Sequence, residues 1–301
     1  GALRGPLAPP QTTRGSVRTM SDYTCFDVST DAGVATVTLC RPDELNTMIP
    51  SFWKELPALI HDLDTSGEVR VVVLASTGRH FSAGMDLSVF GGGPGGGGAE
   101  VGRVRANLRA GVLHLQGTFS VLEKARIPVL AAIQGGCVGG AVDMVTACDM
   151  RYATEDAFFC IQEINLGMTA DVGTLQRLPK LIPEGVCREL AYTGRRMPAA
   201  EAKAVGLVND VFEDHEALLD GVGEVARQIA GQSPLAVWGS KEMITYARDH
   251  STADSLDHIA TWQAGMFQPA DMVEAFAAKG EGREPNFDDL LPLRPDLDEV
   301  V

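Results

Sequence analysis

Long hydrophobic runs and an excess of positive charge are both missing from this chain. No apolar stretch approaches the roughly 20 residues that a membrane-spanning helix needs, so we expect no membrane insertion. With 25 Lys and Arg residues against 40 Asp and Glu residues, the formal net charge is −15. Sequence-independent binding to nucleic acid needs clustered cations, so the acidic balance argues against a nucleic-acid partner.

The spacing of metal-binding side chains is missing as well. The six cysteines contain no C-x-x-C pair, and the six histidines are scattered along the chain. We therefore predict that the protein has no metal site. Several cysteines lie in apolar runs, which is typical of small buried hydrophobic residues in a reducing compartment.

Hydrophobic residues make up 45% of the 301 positions, enough for a sizeable core in one large domain or one large and one small. Short β-branched runs predict strands over 34–39, 70–75 and 128–133. Helical spacing of apolar residues predicts helices over 47–63 and 102–123 between them. This alternation indicates the α/β fold class, with a largely parallel and buried sheet.

Four regions are predicted along the chain. Residues 1–20 form an N-terminal extension that is disordered or a cloning remnant, with Met20 as the natural start. Their arginines and lack of acids also fit a mitochondrial transit sequence, but their prolines would break its amphipathic helix. The core spans 21–214, an all-helical region spans 215–287, and a tail spans 288–301. The C-terminal helices are predicted over 216–229, 234–248, 253–266 and 271–279.

Three carboxylates fall in one apolar stretch, residues 133–179: Asp143, Glu163 and Asp171. Such groups tend to be paired, neutralised or functional, because an isolated charge in an apolar site is costly. Two glycine motifs precede them. Gly84 allows a sharp turn that directs the next N–H, that of Met85, at a ligand. A helix that opens at Gly139-Gly140 offers further free N–H groups. Acids beside such donors suggest enolate chemistry.

Several motifs resemble the crotonase, or enoyl-CoA hydratase/isomerase, superfamily over residues 22–287. They are Arg41-Pro42 with Asn46, FSAGMD at 81–86, QGGCVGG at 134–140, ACD at 147–149, TLQRLP at 174–179, Ala202 with GLV at 206–208, and Ser233-Pro234 with Lys241. The resemblance implies a crotonase-type spiral of ββα turns with a C-terminal helical trimerisation region. It also implies a homotrimer or dimer of trimers, an acyl-CoA substrate, and no cofactor, since coenzyme A is part of the substrate.

The resemblance further implies site residues. The N–H groups of Met85 and Gly140 would hold the thioester oxygen as an oxyanion hole. Asp143 and Glu163 stand where enoyl-CoA hydratases carry their catalytic acids, whereas Asp171 and the run after it are similar to dienoyl-CoA isomerases. Asn165 departs from an aspartate of that subfamily. The remaining substrate-binding candidates are Arg41, Ala83, Asp86, Arg103 and Lys241, with Arg79 as a further cation for the phosphates of coenzyme A.

The expected reaction is the isomerisation of 3,5-dienoyl-CoA to 2,4-dienoyl-CoA in the oxidation of unsaturated fatty acids. One proton leaves C2 and another arrives at C6, so two acids are useful. We expect Glu163 to take the first proton and Asp171 to deliver the second, although the reverse assignment is also open. Asp143 would tune the pair electrostatically. The location would be cytoplasmic for a bacterial protein, which we favour, or mitochondrial for a eukaryotic one.

Other interpretations of the same residues remain open. An enoyl-CoA hydratase is the nearest alternative. A non-catalytic or RNA-associated family member is a second alternative, and an enzyme that acts on sterol acyl-CoA substrates is a third. Asp171 would be a helix cap if a helix began near Val172. The segment Gly91–Gly98 (GGGPGGGG) is predicted to be a flexible loop or a flap near the site, where it would set chain-length preference.

Overall fold

The computed structural model of this protein describes residues 23–90 and 100–293. The predicted extension over 1–20, the glycine-rich segment over 91–98 and residues 294–301 of the predicted tail lie outside these ranges. The strands of the described ranges are β1 Phe26–Asp31, β2 Val34–Leu39, β3 Val71–Ser76, β4 Val129–Ile133, β5 Gly136–Val138, β6 Met150–Thr154, β7 Phe158–Cys160, β8 Met197–Pro198 and β9 Asp210–Phe212.

Ten α-helices connect and follow these strands in the same part of the chain. They are α1 Phe52–Thr65, α2 Val101–Lys124, α3 Gly140–Thr146, α4 Thr174–Arg177, α5 Glu184–Thr193, α6 Ala199–Ala204, α7 His215–Ala230, α8 Pro234–Ala247, α9 Thr252–Met266 and α10 Pro269–Glu281. None of these helices is long and apolar enough to cross a bilayer.

Two sheets form the centre of the fold. The larger sheet has the strand order β1-β2-β3-β4-β6-β9, in which β1 and β2 are antiparallel and every other pair is parallel. The smaller sheet has the order β5-β7-β8, with β5 and β7 parallel. The α/β prediction is therefore confirmed, and parallel pairing explains why β3 and β4 are buried along their whole length.

Side chains of β3 alternate between two cores because successive residues point to opposite faces of the sheet. Val72 and Leu74 belong to the larger core, which also contains residues of α1 and α2. Val71 and Val73 face the other way and pack in a cluster with Leu218 and other residues of α7. Helix α7 thus covers one face of the large sheet, and the site described below lies on the side of the larger core.

The predicted strands and helices agree closely with the structure. Strands β2, β3 and β4 lie within one residue of their predicted bounds, and α2 begins and ends one residue outside its prediction. Helix α1 begins at Phe52, five residues later than predicted. In the described ranges no strand follows Phe212, which agrees with the predicted helical C-terminal region. The domain boundary at residue 214 stays a prediction.

The C-terminal helices carry an apolar surface. Helix α9 has no buried residue, although it packs on α8. Large hydrophobic side chains are exposed on α8, α9 and α10: Ile244, Leu256, Ile259, Met266, Met272, Val273 and Phe276. Exposed large apolar side chains concentrated on three consecutive helices are typical of an interaction site.

Candidate active site

Two glycine turns meet in the centre of the molecule. Gly84 has φ +85°, and a Cβ placed there would lie 2.5 Å from the Val138 carbonyl oxygen and 3.1 Å from the Gly140 nitrogen. Gly139, with φ 55° and ψ −123°, directly precedes α3. Only glycine fits at position 84, because any side chain would push the turn away from the start of α3.

The turn at Gly84 leaves the Met85 amide free. Met48 pairs with Met85 through two bonds: the Met48 N–H donates to the Gly84 carbonyl at 2.8 Å, and the Asp86 N–H donates to the Met48 carbonyl at 3.2 Å. The Met85 N–H therefore points away from Met48. Within residues 23–90 and 100–293, neither this N–H nor that of Gly140 has an acceptor. The two amides are close neighbours, since a Cβ on Gly140 would lie 3.6 Å from the Met85 nitrogen. Two such donors can bind one oxygen atom.

These amides open onto a cavity of about 570 Å³. It brings together Met85, Gly140, Glu163, Ala83 and Asp86, five of the residues predicted from the sequence. The complete lining is Thr47, Ala83, Met85, Asp86, Val138, Gly139, Gly140, Gln162, Glu163, Leu166, Met168 and Arg196.

Glu163 lies near the two free amides, in a short 3₁₀-helix over Gln162–Leu166. Its Oε1 atom would be 3.4 Å from a Cβ placed on Gly139. The pKa of Glu163 is raised to about 7, first by burial and then by the negative charges of Asp143 and Asp171. A carboxylate with this pKa can exchange protons with a carbon acid near neutral pH.

Asp143 lies behind the cavity wall, in the first turn of α3, and is fully buried. Its Oδ1 accepts a hydrogen bond from the Thr174 N–H at 2.6 Å. Its Oδ2 has no partner among the described residues. Burial raises the pKa of Asp143 to about 6; the bond from Thr174 opposes this shift and the charge of Asp171 adds to it.

Asp171 is exposed and does not line the cavity. It lies close enough to Asp143 and Glu163 for its charge to raise the pKa of both. The capping interpretation is wrong, because α4 begins at Thr174 and its N-cap position is Gly173. The three acids therefore form one electrostatically coupled cluster, which the sequence indicated by their spacing in an apolar stretch.

The cations predicted to bind coenzyme A lie in different surroundings. Lys241 is buried, and its ammonium donates to the carbonyls of Leu122 and Ile127 and to Asp149 Oδ2. All three ammonium donors are therefore used inside the protein, away from the cavity. Arg41 donates to the Thr47 carbonyl at 3.0 Å, beside the cavity. Arg103 is exposed, with Glu100 3.6 Å away.

Arg196 lines the cavity and was missed by the sequence analysis. Its guanidinium carbon lies 4.3 Å from the centre of the Phe158 ring, a cation–π contact that fixes its direction. It is the one cation among the lining residues. No spacing in the sequence signals this role, because Arg196 follows another arginine at the end of α5.

No group of three or more His, Cys, Asp or Glu side chains in the described part of the chain is arranged to hold a metal ion.

The chain is similar to several known proteins. The family model for enoyl-CoA hydratase/isomerase matches residues 29–290. The chain is 42% identical to the mitochondrial Δ(3,5)-Δ(2,4)-dienoyl-CoA isomerase of Homo sapiens, over 82% of this chain and 76% of that protein. It is 39% identical to the peroxisomal protein of that name from Arabidopsis thaliana, over 89% and 99%. The crystal structure of an enoyl-CoA hydratase from Bacillus anthracis superposes with a TM-score of 0.80 at 30% identity, over 88% and 99%.

The raised pKa of Glu163 predicts a pH-dependent cost in stability. Between the ordinary value of 4.5 and about 7, the folded chain holds a proton that the unfolded chain releases. With respect to this group, the free energy of unfolding is highest below pH 4.5 and falls as the pH rises through 7. Glu163→Gln should therefore raise the free energy of unfolding at pH 8 by on the order of 1–3 kcal/mol and flatten its pH dependence.

Urea unfolding at several pH values between 4.5 and 8 measures this effect. Glu155→Gln is the matched control, because Glu155 is exposed and its side chain should contribute little at any pH. Equal pH profiles for the wild type and Glu163→Gln would contradict the prediction.

Proposed function

Since this chain belongs to the enoyl-CoA hydratase/isomerase family, we propose that it converts 3,5-dienoyl-CoA to 2,4-dienoyl-CoA. The observation that carries this proposal is the third carboxylate: Asp171 lies on the turn whose Thr174 amide binds Asp143, and its charge raises the pKa of both Asp143 and Glu163. Hydration places two acids around one water, whereas moving two double bonds requires proton transfer at two separated carbons. The names of the relatives at 39–42% identity support the same reaction.

The amides of Met85 and Gly140 hold the thioester oxygen. When the C2 proton leaves, negative charge spreads from C2 over C4 and C6 and onto this oxygen, where the two N–H groups stabilise it. Each donor contributes about 3 kcal/mol to the transition state. These donors are backbone groups of packed turns, so they need no reorganisation during the reaction.

Glu163 is the base at C2. Its carboxylate lies next to Gly139, at the start of α3, and C2 is bonded to the carbonyl carbon whose oxygen the amides hold. Asp171, on the turn that the Thr174 N–H binds to Asp143, delivers a proton to C6. The C2–H bond breaks, the C3–C4 and C5–C6 double bonds move to C2–C3 and C4–C5, and a C6–H bond forms. The step leaves Glu163 protonated and Asp171 ionised, and proton exchange with solvent returns both to their starting forms. The reaction therefore balances with protons alone.

Asp143 tunes this pair. Its charge is the largest contribution after burial to the raised pKa of Glu163. Its bond to the Thr174 N–H ties α3, which carries the Gly140 amide, to the turn that carries Asp171. Asp143 is therefore a positioning residue, because it is sealed from the cavity.

Coenzyme A needs cations for its phosphates in a chain of net charge −15. Arg196 in the lining and Arg41 beside Thr47 are the cations of the described chain that we propose for this role. Arg103 on α2, which is exposed, remains a candidate for the same role.

Substrate choice tests the reaction directly. Purified protein incubated with 3,5-dienoyl-CoA should produce the strong ultraviolet absorbance of a conjugated dienoyl thioester. Asp171→Asn should lower this turnover by about 100-fold or more, since general acid catalysis contributes 10²–10⁴-fold. Asp220→Asn, at an exposed acid of α7, is the matched control and should keep full activity.

Crotonyl-CoA distinguishes the alternative reaction. Hydration of crotonyl-CoA without isomerisation of the diene would identify a hydratase and overturn the proposal. Unchanged isomerisation by Asp171→Asn would remove Asp171 from the mechanism.

Two glycine-to-alanine variants test the role of the Met85 and Gly140 amides. Gly84→Ala places a Cβ against the Val138 carbonyl and the Gly140 nitrogen, and it should lower kcat by about 100-fold or more by separating the two donors. Gly78→Ala is the matched control: its φ is +84° and its Cβ would lie 2.5 Å from Pro42, outside the cavity. Both variants should lose similar stability in thermal unfolding, but Gly78→Ala should keep kcat. Equal losses of kcat would contradict a specific role for Gly84.

We also propose a homo-oligomer, a trimer or a pair of trimers, formed through the apolar surface of α8, α9 and α10. Sedimentation equilibrium should give three or six times the 32.0 kDa of one chain. Phe276→Asp, at a side chain that is 69% exposed, should shift the mass toward the monomer. Leu219→Asp on α7 should leave it unchanged. A monomeric wild type would contradict the proposal.

A further inference from the structure

A row of polar side chains runs along one face of α2, toward the turn that carries Asp171. Gln116, Ser120 and Glu123 are spaced by four and three residues, so they lie above one another on the helix. Their partners lie in the chain between Asp171 and Arg177. The bonds of this row hold the turn from the side of α2.

The side chain of Gln116 binds the main chain of the turn. Its Nε2 donates to the main-chain carbonyl of Asp171 at 2.7 Å. The bond fixes the peptide of Asp171 and leaves the carboxylate free. Gln116 is half-buried, and no other polar side chain of the described residues donates to that carbonyl.

Arg177 and Glu123 form a half-buried ion pair next to the same turn. The Arg177 Nε and Nη2 atoms donate to Glu123 Oε2 at 2.8 and 2.6 Å, and Nη2 also donates to Ser120 Oγ at 3.2 Å. The two side chains are 12% and 16% exposed. Arg248 Nη2 lies 2.8 Å from the second oxygen of Glu123. Glu123 therefore pairs with two arginines, and its removal would leave both guanidinium groups without their shared carboxylate.

Gly173 shows that the guanidinium lies directly against the turn. Its φ is +140°, and a Cβ at this position would be 1.9 Å from Arg177 Nη1. The guanidinium occupies the space that any other side chain would need. The next amide, that of Thr174, donates to Asp143 Oδ1. The turn from Asp171 to Thr174 is therefore held at three points, by Gln116, Arg177 and Asp143.

We propose that Gln116, Glu123 and Arg177 are positioning residues that hold Asp171 in register with Glu163 for proton delivery at C6. This inference rests on the proposed function. None of the three lines the cavity, and each acts on the substrate through the turn alone. Their loss should slow the second proton transfer and leave the first intact.

Isomerisation in D₂O separates the two proton transfers. Deuterium that enters C2 of recovered 3,5-dienoyl-CoA reports removal and return of the C2 proton, and product formation reports delivery at C6. The variants are Glu123→Gln, Arg177→Lys and Gln116→Met, which keep the size of each side chain. Each should lower kcat about 10- to 100-fold with little change in KM, because displacement of a reacting group by about 1 Å costs up to 10²-fold. The ratio of C2 exchange to turnover should rise by a similar factor.

The controls are Glu224→Gln and Arg227→Lys, which alter an exposed ion pair on α7 and should change neither rate nor ratio. Gln116→Met keeps the test usable if loss of the Arg177–Glu123 ion pair prevents folding. An unchanged ratio in the folded variants, whether or not both rates fall, would overturn the inference, since a merely structural role lowers exchange and turnover together.

Asp171→Asn in the same assay separates this inference from the proposed function. If that variant raises the ratio and the three positioning variants do not, the inference alone fails. If Asp171→Asn isomerises the diene at the wild-type rate, the proposed function of Asp171 fails, and the inference fails with it.

Discussion

The hydrogen bond from the Thr174 N–H to Asp143 Oδ1 joins the two halves of the site. Asp143 belongs to α3, whose first amide is one of the two free donors, and Thr174 begins α4 directly after the turn of Asp171. One buried carboxylate thus links the helix that carries the free Gly140 amide to the turn that carries Asp171. Removal of this bond would leave the Thr174 amide and the carboxylate without partners, so the arrangement depends on it.

The same carboxylate makes the site electrostatically costly. Three acids share a region in which burial raises the pKa of Asp143 to about 6 and of Glu163 to about 7. A fold selected for stability alone would place neutral side chains here, because each ionisation near neutral pH works against like charges and lost solvation. The raised pKa values are useful for acid–base chemistry, which is most efficient when the pKa of the acid or base is near the working pH.

Whether a strand or a contact could be predicted from the sequence depends on how far apart its interacting residues lie along the chain. The β-branched runs of β2, β3 and β4 are local signals, and these strands were predicted within one residue. Strands β5, β7, β8 and β9 have two or three residues each and were not predicted, because pairing with distant neighbours defines such short segments.

Side-chain contacts between residues far apart in the chain could not be predicted either. Lys241 was expected at the phosphates of coenzyme A, but its three acceptors are 92 to 119 residues away along the chain and cannot be deduced from local sequence. The side chain that binds the first amide of α4 is that of Asp143, 31 residues upstream, rather than the nearby Asp171. The acids themselves were identifiable, since their cost in an apolar stretch is visible in the sequence.

A division of labour explains how one scaffold supports different reactions of acyl-CoA thioesters. The free amides of Met85 and Gly140 are set by backbone packing, in which a Cβ on Gly84 would meet main-chain atoms. The turn of Asp171 is set instead by side chains of α2, α3 and α4. Under the proposed function, a new acid on that turn would alter where a proton is delivered while the oxygen stayed bound in the same place.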